Sequence, residues 1–220
     1  MIITIDGPAG AGKSSAARTL AQRLGFEFLD TGAMYRAVAL AALRAGVNQR
    51  DEQAVERLVA SLPLEMPPGG RVLLDGEDVT DLIRTSEVTA ATGAVADSPA
   101  VRRRLAQMQR TIAEGRNMVC EGRDQGTIVF PDAVCKFFMF ADPLERARRR
   151  QRQMEARGER LDLEQILRDQ EIRDQRDAAR DLAPMKPASD AVLLDSTQLS
   201  LEQAVETMTA EVRRRMSSVS

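Results

Sequence analysis

Histidine is missing from this chain of 220 residues. Its absence excludes a histidine general base, a Ser-His-Asp triad and histidine metal ligands. Cys120 and Cys135 are the only cysteines, and both lie in apolar stretches with no second pair nearby. This pattern predicts buried free thiols and argues against a disulfide or zinc framework. If the chain is an enzyme, its chemistry would therefore depend on arginine, lysine, carboxylates and a bound ion.

Aromatic residues and long apolar runs are also scarce. Aromatics make up 3% of the chain and the net charge is −2, which opposes a nucleic-acid surface built on base stacking and positive charge. No run approaches the roughly 18 apolar residues of a membrane span, and no signal segment opens the sequence. We expect a cytoplasmic protein without membrane or nucleic-acid partners.

A complete G-x-x-x-x-G-K-[ST] motif is present at residues 7–14, called the phosphate loop below. Its glycines let backbone N–H groups face a polyphosphate, Lys13 reaches the β- and γ-phosphates, and the Ser14 hydroxyl can coordinate Mg²⁺. The alternative is a glycine-rich turn that binds nothing, but a predicted strand and helix flank the motif. We therefore predict an ATP or GTP site formed by Gly7, Pro8, Ala9, Gly10, Ala11, Gly12, Lys13, Ser14 and Ser15.

Apolar periodicity predicts strands and helices that alternate along most of the chain. Strands are expected at 2–6, 26–29, 117–121, 135–141 and 191–195, and helices at 12–24, 31–44, 51–61, 86–96, 99–114, 143–158, 163–181 and 201–216. Between residues 63 and 81, prolines and glycines separate short apolar segments, which predicts an inserted β hairpin. The pattern indicates a three-layer α/β fold with a five-stranded, mainly parallel sheet.

Polar side chains follow two of these strands, where loops of an open α/β sheet face the ligand crevice. Thr31 can cap a helix or donate to a phosphate, Tyr35 can stack or hydrogen-bond, and Arg36 offers a planar fork to an anion. Arg123 suits a phosphate, and Asp124 can accept from an exocyclic amine or hold Mg²⁺-bound water. For Arg123 and Asp124, the alternative is an ordinary surface turn with an ion pair.

Two arginine-rich helices come later in the chain. Arg173, Asp177 and Arg180 share one helix face, a spacing that alone favours a solvated charge pattern. Arginines are dense between 146 and 160 and include Arg146, Arg148, Arg149, Arg150, Arg152 and Arg157. A solvated helix and a nucleic-acid patch are alternatives, but beside a phosphate loop we favour a mobile lid that closes over the transferring phosphoryl group.

The motifs together resemble bacterial cytidylate kinases, through about residue 217. The segments that carry the resemblance are IDGPAGAGKSS (5–15), LDTGAMYR (29–36), GEDVTDLIRTSEV (76–88), EGRDQGTIVFPDA (121–133) and RDQRDAARDLAP (173–184). The resemblance implies Mg²⁺-dependent transfer of the ATP γ-phosphoryl group to CMP or dCMP. It also implies a single kinase domain, with a core (1–62, 98–142, 182–220), a nucleoside-monophosphate-binding insertion (63–97) and a lid segment (143–181).

The same resemblance implies roles for individual residues. Thr31, Arg36 and Arg123 would hold the acceptor phosphate with Arg180 nearby and Tyr35 beside the nucleotide, Arg102 and Asp124 would read cytosine, and Arg173 and Asp177 would bind the ribose. The catalytic set would be Lys13, Arg36, Arg123, Arg146 and Arg150, with Mg²⁺ at Ser14. Cytosine offers an N4 amine to Asp124, whereas uracil presents O4 and leaves this carboxylate without a donor.

Two positions depart from the family pattern. Gly93 stands where a serine that touches the base is common, so this contact is missing or moves to Thr92, and Glu121 stands where aspartate is common. The nearest alternative function is a P-loop kinase with another acceptor. A GTPase-type switch would carry an Asn/Thr-Lys-x-Asp motif, and none of the three lysines lies in one. We expect a monomer.

Overall fold

The fold is described from a computed structural model, which covers residues 1–49, 51–156, 158, 161–180 and 182–217. Its strands and helices, in chain order, are β1 (Ile2–Asp6), α1 (Lys13–Leu24), β2 (Glu27–Asp30), α2 (Thr31–Arg44), α3 (Glu52–Ala60), β3 (Leu64–Glu65), β4 (Leu73–Leu74), β5 (Glu77–Asp78), α4 (Ser86–Asp97), α5 (Pro99–Ala113), β6 (Met118–Glu121), β7 (Cys135–Phe140), α6 (Pro143–Glu155), α7 (Leu163–Ala178), β8 (Val192–Asp195) and α8 (Leu201–Ser217). A 3₁₀ turn spans Leu82–Arg84 and a π-helical turn spans Gln125–Val129. None of the helices in the described ranges is long and apolar enough to cross a membrane.

The larger sheet has five strands in the order β2-β6-β1-β7-β8. β1 runs parallel to β6 and to β7, and β7 runs parallel to β8. Ile3 and Ile5 on one face and Thr4 on the other are all fully buried, so β1 is covered on both faces. The predicted α/β fold with a five-stranded parallel sheet is confirmed.

The chain forms two compact units, and the first comprises Met1–Phe26 and the chain from Met118 onward. Within it α1 packs on α8 and β6, and α6 packs on α7. Ile5 of β1 is paired with Glu121 of β6, so both strands end at the same edge of the sheet. The phosphate loop follows β1 there and Gly122 follows β6, and this strand register places the two loops side by side.

The second unit is Glu27–Asn117, in which α2 packs on α4 and α3 packs on α5. Its small sheet has three antiparallel strands, β3-β4-β5, so the predicted two-stranded hairpin is incomplete. Asp75 and Gly76 form a two-residue turn with φ of 52° and 77° between β4 and β5. An Asp-Gly pair with positive φ at both residues is a strong hairpin signal, so the third strand was accessible from the sequence.

The other predicted element bounds agree with the structure to within a few residues. The predicted 163–181 helix is too long, because α7 ends at Ala178 and Arg180 lies beyond it. The predicted 143–158 helix likewise ends earlier, at Glu155, and Arg157 lies outside the described residues. The division into core, insertion and lid stays a prediction.

Candidate active site

The phosphate loop depends on three glycines with positive φ, namely Gly7 at 136°, Gly10 at 78° and Gly12 at 92°. A Cβ on Gly7 would lie 2.0 Å from the backbone carbonyl oxygen of Met139 in β7, which leaves room only for glycine. Gly12 precedes α1, and no side chain caps this helix. The first turn of α1 therefore keeps its N–H groups and positive dipole end for an anion.

Lys13 and Ser14 are both held by Glu121 at the end of β6. Lys13 Nζ donates to the Pro8 carbonyl at 2.8 Å and lies 3.6 Å from Glu121 Oε1, and Ser14 Oγ donates to Glu121 Oε2 at 2.9 Å. Burial, followed by the charge of Arg123, lowers the pKa of Lys13 to about 7 although Glu121 opposes this. The positive charge of this lysine is thus incompletely compensated in the free protein, and a bound phosphate would stabilise it.

Arg123, Asp177 and Arg180 form one ion-pair cluster in the first unit. Arg123 Nε donates to Asp177 Oδ2 at 3.1 Å, and Arg180 Nη2 lies 2.6 Å from Asp177 Oδ1. Burial alone would raise the pKa of Asp177, but the charges of Arg123, Arg180 and the more exposed Arg173 outweigh it and hold the pKa below its usual value. The solvated charge pattern favoured for this helix face is therefore wrong at Asp177, which is 4% exposed.

Asp124 follows Arg123 and is buried in the first unit. Its backbone carbonyl accepts from the N–H groups of Ile128 and Val129, at 2.9 and 3.3 Å. Asp124, the predicted base-reading residue, is therefore the N-terminal cap residue of the π-helical turn. The turn itself was not predicted from the sequence.

Two arginines of α6, Arg146 and Arg149, contact carbonyl groups of the phosphate loop. Arg146 donates to the carbonyls of Ala9 at 3.0 Å and Ala141 at 3.2 Å, and it pairs with Asp174 of α7 at 2.6 Å. Arg149 donates to the Ser196 carbonyl at 2.7 Å. Arg150 is half-buried on the same helix.

Ser196, and its contact with Arg149 beside the phosphate loop, were not predicted. Ser196 Oγ donates to the Ala11 carbonyl at 2.9 Å, and Arg149 Nη1 lies 3.2 Å from Ser196 Oγ. The arginine run contained Arg149, but nothing in the sequence linked it to a serine 47 positions further along the chain.

In the second unit, Asp30 rather than Thr31 caps α2. Asp30 Oδ1 accepts from Ala33 N at 2.9 Å, and Thr31 is the buried first residue of the helix, so the predicted capping role of Thr31 is wrong. Asp30 also holds Arg36 at 3.2 Å and lies 3.5 Å from Arg84 Nη2. An aspartate directly before a helix is a typical cap, so this role could have been predicted.

Tyr35 and Arg102, two residues of this unit that were predicted to bind the nucleotide, lie next to each other. The Arg102 guanidinium lies 5.7 Å from the centre of the Tyr35 ring, within cation–π range, and its Nε donates to the Ala96 carbonyl at 2.7 Å. Thr92 Oγ1 donates to the Val88 carbonyl at 2.6 Å. Its hydroxyl proton is thus engaged within α4, although its oxygen can still accept from a base.

The fold and the site together define a P-loop phosphotransferase. A phosphate loop at the end of a central parallel strand is of the type that binds a nucleoside triphosphate, and the ion-pair cluster of Arg123, Asp177 and Arg180 lies in the same unit.

Comparisons with known proteins narrow this class. The cytidylate kinase family model matches residues 3–214. The cytidylate kinase of Pseudomonas aeruginosa strain PAO1 is 47% identical over 219 residues, covering 97% of this chain and 96% of that protein. That of Pelotomaculum thermopropionicum is 49% identical over 214 residues, covering 96% and 95%. An uncharacterized protein from Eubacterium ventriosum has a similar fold, with a TM-score of 0.55 at 13% identity, covering 97% of this chain and 98% of that chain.

The chain therefore belongs to the cytidylate kinase family. The resemblance found in the sequence is confirmed over nearly the whole chain. The predicted reaction, phosphorylation of CMP by ATP, is confirmed at the level of the family. The buried free cysteines are confirmed as well.

Proposed function

We propose that the chain binds Mg²⁺-ATP at the phosphate loop and transfers the γ-phosphoryl group to CMP or dCMP. The observation that carries this assignment is the electrostatic link between Lys13 and Arg123. After burial, the charge of Arg123 is the largest cause of the lowered pKa of Lys13. The positive charges of Lys13, at the start of α1, and of Arg123, after β6, thus repel each other, and anionic phosphates bound between them would relieve that repulsion.

Mg²⁺ would sit at Ser14. The Ser14 hydroxyl and the Glu121 carboxylate are 2.9 Å apart, and both offer the oxygen ligands that Mg²⁺ prefers. In the described ranges, no cluster of three or more histidine, cysteine or acidic residues could hold a metal alone. Phosphate oxygens would therefore supply further ligands, as is usual for Mg²⁺ in kinases. When bound, the ion would neutralise charge on the ATP phosphates.

The roles in acceptor binding that the family resemblance implies are proposed for this chain. Thr31, Arg36, Arg123 and Arg180 are proposed for the CMP phosphate, Tyr35 for a position beside the nucleotide, Arg102 and Asp124 for cytosine, and Arg173 and Asp177 for the ribose. A phosphate monoester has a second pKa of about 6 and is mostly dianionic at neutral pH. Its oxygen can attack without a protein base, in agreement with the lack of histidine.

The lid is proposed to supply Arg146 and Arg150 to the transferring group. Arg146 already contacts the phosphate-loop carbonyl of Ala9 while paired with Asp174. A small rotation of this side chain would exchange those partners for phosphate oxygens of ATP.

We further propose a cytoplasmic monomer, and light scattering after gel filtration tests the oligomeric state.

The reaction is tested by measuring ADP formation from Mg²⁺-ATP with CMP, dCMP, UMP, AMP or no acceptor. We expect CMP and dCMP to be preferred, and loss of activity when EDTA removes Mg²⁺. Equal rates with UMP would remove the base-reading assignment, and acceptor-independent hydrolysis as the main activity would remove the kinase assignment.

Asp124→Asn tests the base-reading residue directly. The amide can present a donor where cytosine N4 also donates, so kcat/KM for CMP relative to UMP should fall at least tenfold, on the order of the discrimination at hydrogen-bonding sites. The KM for ATP should change by less than about threefold, since the phosphate loop is unaltered. An unchanged CMP/UMP ratio would count against the assignment.

A further inference from the structure

A buried carboxylate lies at the end of β1, immediately before the phosphate loop. Asp6 is 4% exposed and none of the proposed ligand contacts uses it. An ionised group in such a place is costly unless hydrogen bonds satisfy it. The identity of its partners therefore indicates what the residue does.

Both oxygens of Asp6 accept hydrogen bonds from one short segment. Asp6 Oδ1 accepts from Gln125 N at 2.9 Å, and Oδ2 accepts from Gly126 N at 2.7 Å. These amides are the first two of the π-helical turn that Asp124 precedes, and such N-terminal amides lack acceptors within their own turn. Burial raises the pKa of Asp6 to about 7, while the Gly126 and Gln125 hydrogen bonds lower it.

The turn is also packed tightly against the sheet. A Cβ on Gly126 would lie 2.9 Å from Thr4 Oγ1 of β1 and 3.2 Å from the Lys136 Cδ of β7. The turn therefore has no space to approach the sheet further, and the two hydrogen bonds prevent it from moving away. Its position is defined relative to β1, the strand that continues into the phosphate loop.

We propose that Asp6 is a positioning residue that ties the π-helical turn to the phosphate loop, and thereby sets where Arg123 and Asp124 stand relative to the ATP phosphates. One carboxylate would thus couple the donor site to selection of the acceptor. The proposal rests on the acceptor-binding roles proposed above for Arg123 and Asp124. Asp6 itself touches neither substrate.

Asp6→Asn is the primary test, because asparagine keeps the size but has one acceptor oxygen and turns an amide donor toward the second N–H. Leaving one buried N–H unpaired should raise the KM for CMP about tenfold and lower the CMP/UMP ratio of kcat/KM about tenfold. The KM for ATP should stay within about twofold. A residue with a merely structural role would alter the amount of folded enzyme and leave these ratios unchanged.

Asp51→Asn is the matched control, because it makes the same chemical change at a carboxylate that also accepts from a backbone amide. Asp51 Oδ1 accepts from Ala54 N at 3.0 Å at the exposed start of α3, where asparagine caps a helix about as well as aspartate, so this change should leave both KM values and the CMP/UMP ratio unaltered. Asp6→Glu is the second variant if Asp6→Asn fails to fold. It keeps the charge and both acceptors but adds a methylene, which should displace the turn and produce the same rise in the KM for CMP.

The outcomes separate this proposal from the assignment of Asp124. If Asp124→Asn lowers the CMP/UMP ratio and neither Asp6 variant alters the ratio or the KM for CMP, the tie is overturned. An equal rise in the KM values for ATP and CMP would also overturn it, because Asp6 would then act on the phosphate loop alone. If the Asp6 variants raise the KM for CMP and Asp124→Asn leaves the CMP/UMP ratio unchanged, Asp6 acts on the acceptor by positioning Arg123. The base-reading role of Asp124 would then be wrong.

Discussion

Replacing Asp177 by asparagine should destabilise the protein substantially. The Asp177 carboxylate is the shared partner of Arg123 and Arg180, whose side chains are 18% and 9% exposed. Removing one partner of a buried ion pair costs about 3–5 kcal/mol. Arg123 keeps its hydrogen bond to the Gly122 carbonyl, so we expect a loss at the lower end, about 3 kcal/mol. For a protein of this size, that loss lowers Tm by roughly 6–12 °C.

The pH dependence provides an independent check of this prediction. The pKa of Asp177 is held below its usual value by the surrounding arginines. A depressed carboxyl pKa contributes stability that is present above the unfolded pKa of about 3.9 and is lost as the pH falls through the folded pKa. The Tm difference between wild type and Asp177→Asn should therefore be constant from about pH 5 to pH 8 and should shrink below about pH 4.

Thermal unfolding monitored by circular dichroism measures both effects. Asp169→Asn is the control, because it makes the same chemical change at an exposed site on α7, where the carboxylate accepts from the Gln165 side chain at 2.8 Å. We expect it to alter Tm by less than about 2 °C. The reasoning is refuted if Asp177→Asn unfolds at the same temperature as Asp169→Asn, or if its Tm deficit persists unchanged at pH 3.

Three further predictions concern the phosphate loop and the thiols. Gly7→Ala should lower kcat/KM at least tenfold, because the alanine Cβ would collide with the Met139 carbonyl. A coupled assay of ADP formation measures this, and wild-type activity would contradict it. Since the pKa of Lys13 is lowered to about 7 and bound phosphates would raise it, ATP binding at pH 8 should take up nearly one proton. Calorimetry in buffers of different ionisation enthalpy measures this uptake, which should vanish in Lys13→Met. Because burial raises the pKa of Cys120 to about 12 and that of Cys135 to about 11, Ellman's reagent at pH 8 should label them only after denaturation, and rapid labelling of the native protein would refute this.

Local sequence signals predicted the elements that local physics determines. The apolar run Ile2–Asp6 specified a strand. Gly25 specified the end of α1 and Pro143 the start of α6, in both cases through backbone preferences alone. The predicted hairpin lacked β5, although the Asp75-Gly76 pair is a turn signal that indicates this third strand. These features need no long-range contact to be recognised.

Charged residues were harder to interpret, because one residue type serves several purposes. Spacing placed Arg173 and Asp177 on one helix face but could not say that the face packs toward Arg123, 54 positions earlier than Asp177. Arg180 pairs with Asp177 as their spacing suggested, although it lies beyond the end of α7. The partners of such groups depend on how the elements pack.

The sequence by itself determined the phosphate loop, the parallel α/β fold and the family, because these depend on patterns within short segments and on their order. Only the tertiary structure decided which charges are buried together, as for Lys13 with Glu121 and Arg123 with Asp177. It alone showed that Asp6 holds the amides of Gln125 and Gly126. The physical reason is that burial and hydrogen bonding depend on distances between segments far apart in the chain, which residue order does not specify.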